Sequence, residues 1–202
     1  MHPNKAFTWT EQDAILSFAG DKSFAHIFTA SNAGLFVVHA PLLVTPEKRV
    51  RFHVSRRNRI ADQLDGRPVL ISVEGREAYH SANWYASDDQ VPTWHYEAAE
   101  IEGPARRLED EELVALLDDL SAEFEGRHSP EQPWTRGKMT PGKFEAMTKA
   151  IVGFEVDPVE VRGTRKFNQH KGAADLEATV EGQRRAGRAD VVAAIREVAR
   201  PK

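Results

Sequence analysis

Five arginines crowd one short stretch of the sequence, together with Ser55 and Asn58. The arginines are Arg49, Arg51, Arg56, Arg57 and Arg59. Guanidinium groups, a hydroxyl and the amides of a turn are groups that hold a phosphate monoester. The alternative is a solvated basic face, because exposed strands often carry arginine. The stretch by itself is therefore a candidate phosphate site with a structural alternative.

Aromatic and polar residues concentrate in two later segments, Ala78–Tyr85 and Val91–Tyr96. These segments contain two of the four tryptophans and all three tyrosines of the chain. Such a density suits stacking against a flat ring system or filling an interface, and core packing is the alternative.

The eight histidines do not occur at the spacing that places two metal ligands on one helical face. The sequence therefore predicts no local metal site. It also lacks a Gly-x-Ser-x-Gly elbow, a Walker loop and a dinucleotide-binding Gly-x-Gly-x2-Gly motif. These absences weigh against hydrolase, nucleoside-triphosphatase and Rossmann classes.

The basic stretch must be positioned by a strand, because Arg49–Val54 alternates strictly. Val50, Phe52 and Val54 are predicted to face the core, and Arg49, Arg51 and His53 to face solvent. Similar apolar runs broken by turn residues predict further strands at Phe24–Thr29, Leu35–Ala40, Leu42–Val44, Pro68–Val73, Ala78–Ser81 and Thr93–Ile101. The run Ala78–Ser81 is expected to form a hairpin with Pro68–Val73. Short strands without helices between them predict a barrel or sandwich.

Helices are predicted around this sheet. A short one is expected at Trp9–Phe18, and two are inserted at 109–125 and 140–150, followed by a long strand at Ile151–Arg162. We therefore expect a barrel or sandwich domain over 1–171 and a helical tail over 172–202. The apolar stripe of that tail is expected to pack against a partner subunit, or the tail is disordered. The stripe consists of Val191, Ile195 and Val198.

Composition restricts the partners and the compartment. The net charge of −4 gives no global basic field, so direct DNA binding lacks support. The absence of cysteine is compatible with a reducing compartment, and we expect a cytoplasmic protein. No window approaches a membrane-spanning apolar run, so no membrane association is expected.

From about Phe7 to Gly182 the chain resembles the PaiB family, the FMN-binding negative transcriptional regulators among the pyridoxamine-phosphate-oxidase-like split barrels. The resemblance rests on the combination of several motifs. These are Gly34-Leu35 with His39-Ala40-Pro41-Leu42-Leu43, His53-Val54-Ser55-Arg56-Arg57-Asn58, Ala78-Tyr79 with Trp84-Tyr85, Val91-Pro92-Thr93-Trp94-His95-Tyr96, Ile151-Val152-Gly153-Phe154-Glu155 and Lys166-Phe167-Asn168-Gln169.

The resemblance implies a mainly β fold with peripheral helices (α+β), namely a split β-barrel of the FMN-binding type. It further implies a homodimer with FMN at the subunit seam and the phosphate held by Arg51 to Asn58. The cofactor-binding residues expected on this basis are His39, Arg51, His53, Ser55, Arg56, Arg57, Asn58, Ser81, Trp84, Tyr85, Thr93, Trp94, His95, Lys166 and Gln169.

The chain departs from the family pattern inside this expected site. His95 stands where the family has asparagine, Lys171 where it has arginine, and Arg59 where it has proline. The first change introduces a group that titrates near neutral pH, and the second replaces a bidentate fork by a point charge. A split barrel that serves only as a dimeric scaffold without flavin is therefore one alternative.

Two functions fit the resemblance. The first is an FMN-binding regulator that acts without direct DNA contact, since no helix-turn-helix pattern is visible. The second is an FMN-dependent oxidoreductase, similar to a flavin reductase or oxidase, acting on a small molecule. His95, His170 or Lys171 would then protonate or steady a substrate. The sequence identifies no catalytic residue and leaves enzyme status undecided.

Overall fold

The computed structural model describes residues 1–199, which form two compact units. Unit 1 comprises Met1–Ile15, Glu74–Ala99 and the chain from Arg162 onward. Unit 2 comprises Leu16–Val73 and Glu100–Val161. The chain therefore passes several times from one unit to the other.

Eight strands and five α-helices lie within the described residues 1–199. The strands are β1 (Thr8–Trp9), β2 (Phe24–Ser31), β3 (Gly34–Val44), β4 (Val50–Ser55), β5 (Pro68–His80), β6 (Thr93–Arg107), β7 (Ile151–Val156) and β8 (Glu160–Lys166). The helices are α1 (Gln12–Lys22), α2 (Asp110–His128), α3 (Lys143–Thr148), α4 (Ala173–Arg185) and α5 (Ala189–Val198). No helix within residues 1–199 is long and apolar enough to cross a membrane.

Unit 2 is built on an antiparallel barrel. Its strands pair in the order β5, β2, β3, β4, β7 and β6. Backbone hydrogen bonds from Gly66 to Ala105 and from Ala105 to Arg67 join the last strand to the first. Because the ring of strands is closed by these bonds, the barrel leaves no free edge at this point.

The interior of this barrel contains the apolar residues of the alternating strands. Val50, Phe52 and Val54 of β4 are buried, as the period of two predicts. Phe52 stacks on Phe154 of the neighbouring β7, with the ring centroids 5.7 Å apart. The core of unit 2 is thus fixed by residues whose spacing is visible in the sequence.

Helix α2 covers the outer face of the barrel beside β3, β4 and β7. It begins with a capping box, in which the backbone N–H of Glu109 donates to the carboxylate of Glu112. Its apolar stripe packs with Leu43 of β3 and with Leu108, which precedes the helix; the stripe consists of Leu116, Leu120 and Phe124. The face of β4 that was expected to be wet is therefore partly covered.

Unit 1 contains a second group of paired strands, in the order β1, β8, β6 and β5. Helices α4 and α5 pack on it through a buried cluster that includes Ala78, Phe167 and Val180, joined by Val191, Val192, Ala194 and Ile195. The stripe of the tail is thus buried against its own chain, and the expectation that it packs on a partner subunit was wrong. The remaining tail residues, 200–202, lie outside the described part.

Several element boundaries differ from those expected. Trp9 lies in a strand, and α1 begins three residues later. The predicted hairpin at Glu74-Gly75-Arg76 is instead a continuous part of β5, where Arg76 donates to Glu97 of β6. Strand β6 continues through Gly103-Pro104, and the expected long strand after α3 is broken at Asp157-Pro158. At Glu74-Gly75-Arg76 and at Gly103-Pro104, pairing with neighbouring strands overrides the local turn signals.

Candidate functional site

The chain after β4 forms a tight turn, residues 55–59, which we call the arginine turn. The N–H of Asn58 donates to the Ser55 carbonyl at 2.9 Å, and the N–H of Arg57 to the Ser55 hydroxyl at 3.3 Å. The Asn58 side chain accepts from the N–H of Ile60 at 3.1 Å. Ser55 and Asn58 therefore shape the turn, while the proton of the Ser55 hydroxyl stays available to a ligand.

Arg56 is fixed within this turn by backbone carbonyls of the segment between α3 and β7. Its Nε donates to Lys149 at 3.0 Å and its Nη2 to Ile151 at 2.9 Å. Arg56 lines a cavity of about 510 Å³. The other lining residues are Asp110, Leu113, Val114, Glu145, Thr148 and Lys149. The Arg56 guanidinium is thus held in place beside an open space that two carboxylates, Asp110 and Glu145, also line.

Arg57 differs from its neighbour. Its side chain is exposed, and its guanidinium makes no hydrogen bond or ion pair within residues 1–199. Arg59 donates to the Leu35 carbonyl and lies over the ring of Phe36 at 5.0 Å. Of the three arginines in the turn, Arg57 is therefore the one with its donors uncommitted.

Arg51 was expected to face solvent and a phosphate, but it is paired within the protein. Its side chain and those of Arg49 and Arg106 surround the buried Glu155, at 2.7, 3.3 and 2.9 Å. Burial by itself raises the pKa of the Glu155 carboxyl, but hydrogen bonds from Arg106 and Arg51 outweigh it and lower that pKa. The charge of Arg51 is thus shared with a carboxylate that is more than 100 residues distant in sequence.

His53 also departs from the expected exposure. It pairs with Gly153 of β7. A Cβ added at Gly153 would lie 2.9 Å from the Leu108 side chain and 3.1 Å from that of Leu113, so these leucines pack closely on the strand. Its Nδ1 is buried without a hydrogen-bond partner in the described residues, and burial lowers the pKa of the ring. The packing around α2, rather than solvent, surrounds this face of β4.

His39 lies on a different face of unit 2, on the outer side of β2 and β3. It pairs across the strands with His26, and the two rings meet edge to face with centroids 4.5 Å apart. The same side carries large exposed apolar residues, and we call it the exposed apolar face. Those residues are Phe24, Phe28, Leu35 and Val37.

In unit 1, Trp94 of the predicted site and Tyr79, from the first of the two aromatic segments, are both exposed. Trp94 of β6 is 55% exposed, and its ring meets that of Tyr79 on β5, which is 49% exposed, edge to face at 6.0 Å. Large exposed aromatic surfaces of this kind suit a flat ligand or an interface.

Trp84 and Tyr85 are instead used within unit 1. Ser81 caps the single turn that carries Trp84, and the indole lies directly against Gly182 of α4. The Tyr85 hydroxyl accepts from Asn168 at 2.9 Å, and burial raises the pKa of that phenol. Half of the aromatic cluster therefore follows the core-packing interpretation.

Three other predicted residues form contacts inside unit 1. Lys166 donates to the Thr93 hydroxyl at 2.8 Å, and burial lowers the pKa of its ammonium group. The amide of Gln169 accepts from the N–H of Phe167 and donates to the Ala6 carbonyl. Gln169 thus braces its own loop, while Thr93 and Lys166 remain together and partly exposed.

The two other candidate acid–base groups lie near the same loop. Lys171 donates to Gln90 at 2.6 Å and lies over the ring of Tyr85. His170 is exposed and meets the ring of Phe7 edge to face, and burial with nearby Lys171 lowers its pKa. No hydrogen bond joins the side chains of these two neighbours within residues 1–199.

His95, expected to contact a cofactor, is fully buried. It belongs to a polar cluster in the core of unit 1, whose members are His80, His95, Asn168, Thr179 and Gln183. Thr179 and Gln183 were not predicted from the sequence as members of this polar cluster. Their spacing beside Val180 on α4 was the available signal, because positions three and four apart share a helix face.

The predicted site residues therefore fall into two groups. Seven lie in unit 2, namely His39, Arg51, His53, Ser55, Arg56, Arg57 and Asn58, and eight lie in unit 1, namely Ser81, Trp84, Tyr85, Thr93, Trp94, His95, Lys166 and Gln169. Among these predicted residues, Ser55, Arg56, Arg57 and Asn58 lie together in one tight turn. Residues 1–199 contain no group of three or more side chains suited to hold a metal ion.

Comparison with known proteins places this geometry in context. Residues 1–160 match the family described as "Putative FMN-binding domain". A relative from Bacillus subtilis (strain 168), the protease synthase and sporulation protein PAI 2, is 27% identical over 185 residues, which cover 90% of this chain and 88% of the relative.

Two solved structures are similar in fold at low identity. The FAD and heme binding protein from Mycobacterium smegmatis is 15% identical, with a TM-score of 0.59 over 87% of this chain and 80% of its own. The flavocytochrome Anf3 from Azotobacter vinelandii is 13% identical, with the same TM-score over 82% and 72%. The predicted split-barrel fold and the PaiB resemblance are confirmed, and the matches support a flavin as the cofactor class.

Proposed function

The chain belongs to this family of FMN-binding domains, and we propose that it binds FMN, with the phosphate held by the arginine turn. The observation that carries the proposal is the state of Arg57, whose exposed guanidinium has no partner in residues 1–199, next to the fixed Arg56. A doubly charged phosphate would satisfy both guanidinium groups and accept from the Ser55 hydroxyl.

The arginine turn fits a phosphate better than the neighbouring basic residues do. Arg49 and Arg51 already share Glu155, so a phosphate there would compete with a buried carboxylate. Arg56 donates two hydrogen bonds to backbone carbonyls, and these bonds fix its position before any ligand binds. When bound, FMN would supply a redox-active ring; the turn would supply charge and orientation.

We further propose that the protein acts as a homodimer that buries the exposed apolar face. Phe24, Phe28, Leu35 and Val37 are between 39% and 80% exposed on two paired strands. Large contiguous apolar surfaces of this kind are typical of protein interfaces. A flavin bound at the subunit seam would then contact residues of both copies, including the exposed Trp94 as a stacking surface.

The proposed role of this flavoprotein is regulatory. The name of the PAI 2 relative links that protein to protease synthesis and sporulation, and the resemblance is to negative transcriptional regulators. The net charge of −4 favours regulation without direct operator contact, in a cytoplasmic protein. A promoter fragment should therefore not be retained at moderate salt, and steep salt-dependent retention would contradict indirect action.

Fluorescence titration of FMN and riboflavin with the purified protein tests the phosphate assignment. Arg57→Ala removes no internal hydrogen bond of the guanidinium, so the turn should keep its shape, yet FMN affinity should fall by about tenfold or more. Riboflavin, which lacks the phosphate, should bind both proteins equally. Arg67→Ala, at another exposed arginine of unit 2, is the matched control.

The outcomes of this titration are separable. Equal loss for FMN and riboflavin would mean that Arg57 supports the fold or the ring, and the phosphate assignment would be wrong. A wild-type protein that quenches neither flavin would leave the dimeric scaffold without flavin as the function.

A further inference from the structure

Two histidines stack on each other in the core of unit 1. His80 of β5 and His95 of β6 are both completely buried, with their ring centroids 4.9 Å apart and the rings inclined by 29°. Trp84 and Tyr85 meet the His80 ring edge to face at 5.3 and 4.6 Å.

These rings have few hydrogen bonds in the described residues. Both nitrogens of His80 and the Nε2 of His95 are buried without a partner, as is Oε1 of Gln183. The contact that exists is between Gln183 Nε2, which donates, and His95 Nδ1 at 3.4 Å. Since Gln183 lies on α4, this helix is seated directly over the histidine pair.

Further contacts connect the same helix to the cluster. Asn168 donates to the Thr179 hydroxyl of α4 at 3.2 Å, and Gln183 donates to the Tyr79 carbonyl at 2.9 Å. Gly182 allows the Trp84 ring to approach the helix backbone. The surface of unit 1 on which α4 packs is therefore partly polar, and it includes the two imidazole rings.

The Asn168 side chain favours an imidazolium at His95, but burial and the His80 ring outweigh it. No carboxylate in the described part of unit 1 forms an ion pair or hydrogen bond with either ring. Tyr85 contributes a hydroxyl, Thr179 and Gln183 are uncharged, and Lys166 of β8 is positive. Glu97, two residues beyond His95 on β6, is bound by Arg76 through both carboxylate oxygens. Lys171 and Asp175 lie beyond Tyr85, where they contact Gln90 and the 86–87 backbone.

Burial keeps both rings neutral near neutral pH. It lowers the pKa of His80 to about 4, and burial together with the neighbouring His80 ring lowers the pKa of His95 to about 3. An unfolded histidine titrates near 6.5. Because the folded values lie below the unfolded one, the stabilisation is full above pH 6.5 and is lost as the pH falls toward 4 and 3.

We infer that the His80–His95 pair is an acid-sensitive lock, which holds α4 and α5 on unit 1 while both rings are neutral and releases them on acidification. Protonation of either ring places an uncompensated charge against the other ring and beneath Gln183. The helices then leave, since exposure to water solvates the charge. Because His80, His95 and Gln183 all lie in unit 1, the opening is expected to be confined to that unit.

Amide hydrogen exchange of the full-length protein at pH 7 and pH 5, corrected for the intrinsic exchange rate, tests this inference. At pH 5 each histidine should raise the opening constant about thirtyfold, and the two together on the order of a thousandfold. The loss of protection should appear in peptides from 173–199, while peptides from β3 (Gly34–Val44) in unit 2 stay protected. Equal loss in both, or no loss in either, would overturn the lock.

Variants separate the lock from general acid sensitivity. His80→Phe with His95→Asn should abolish the extra exchange of 173–199 at pH 5. If that double variant does not fold, His95→Asn alone should reduce the effect to about thirtyfold. His128→Asn, at an exposed histidine of α2, should leave the wild-type pH dependence in place. Persistence of the full effect in the His95 variant would exclude the proposed role of the pair.

Discussion

Gly182 lies in direct contact with the indole ring of Trp84, so that a Cβ at position 182 would be 2.6 Å from the ring. The residue is an interior position of α4, where glycine is otherwise unfavourable by about 0.5–1 kcal/mol. The close approach explains why this helix tolerates it, and it gives the first prediction.

Gly182→Ala should destabilise the protein, because overpacking by one methyl group costs about 1–3 kcal/mol and the gain in helix propensity is smaller. Denaturant unfolding measures the change. Gly126→Ala on α2 is the matched control: nothing lies within 4 Å of a Cβ there, so it should stabilise by about 0.4–1 kcal/mol. A neutral or stabilising Gly182→Ala would contradict the contact.

Glu155→Gln should remove the anionic partner of three arginines and cost about 1.5–3 kcal/mol near neutral pH, since it removes charged hydrogen bonds to a buried carboxylate while the arginines themselves stay partly exposed. The Glu155 pKa is lowered in the folded state, so its contribution is present above about pH 4.3 and is lost as the pH falls through the folded value. Unfolding free energy measured from pH 7 to pH 3 should therefore converge for wild type and variant.

The exposed Glu131 provides the reference for that experiment. Glu131→Gln should change the unfolding free energy by less than about 0.5 kcal/mol and leave its pH dependence unaltered. A constant difference between wild type and Glu155→Gln at all pH values would show that the cost is steric rather than ionic.

Val37→Glu should convert the proposed homodimer to a monomer. Val37 lies opposite Phe28 on the exposed apolar face and is 39% exposed in the single chain, so a carboxylate there is cheap in the monomer and costly in an interface. Light scattering or sedimentation equilibrium gives the mass. Gln132→Glu adds the same charge on an exposed loop and should leave the dimer intact; a dimeric Val37→Glu would move the interface elsewhere.

Glu97→Gln should be more damaging than Glu197→Gln, although both carboxylates bind Arg76. Glu97 is buried and receives two side-chain bonds at 2.7 and 3.0 Å, and these raise the pKa of the Arg76 guanidinium. Its loss should cost about 3–5 kcal/mol, against at most about 1 kcal/mol for the half-exposed Glu197. Thermal or denaturant unfolding measures both losses of stability. A larger loss for Glu197→Gln than for Glu97→Gln would contradict this prediction.

The local parts of the site were readable in the sequence. The alternation of β4 identified its buried side, and the capping residues and leucine spacing identified α2. The arginine turn was visible as a cluster because its residues are adjacent in the chain. Periodicity and turn chemistry act over a few residues, which is why these predictions needed no tertiary information.

Other features depended on contacts between distant residues. Arg51 and Arg57 look alike in the sequence, but only the fold brings Glu155 to the first and leaves the second without a side-chain partner among residues 1–199. The expected hairpin in β5 failed because Arg76 is held by β6, a contact that no local signal records.

The sequence by itself thus determined the kind of fold, the family and the position of a candidate phosphate-binding turn. Each of these predictions depends on short-range sequence patterns and on the order in which they occur. The tertiary structure alone decided which cations are neutralised and that His80 and His95 lie stacked and buried. Burial and charge pairing are properties of the assembled core, and they arise from residues that are neighbours only after folding.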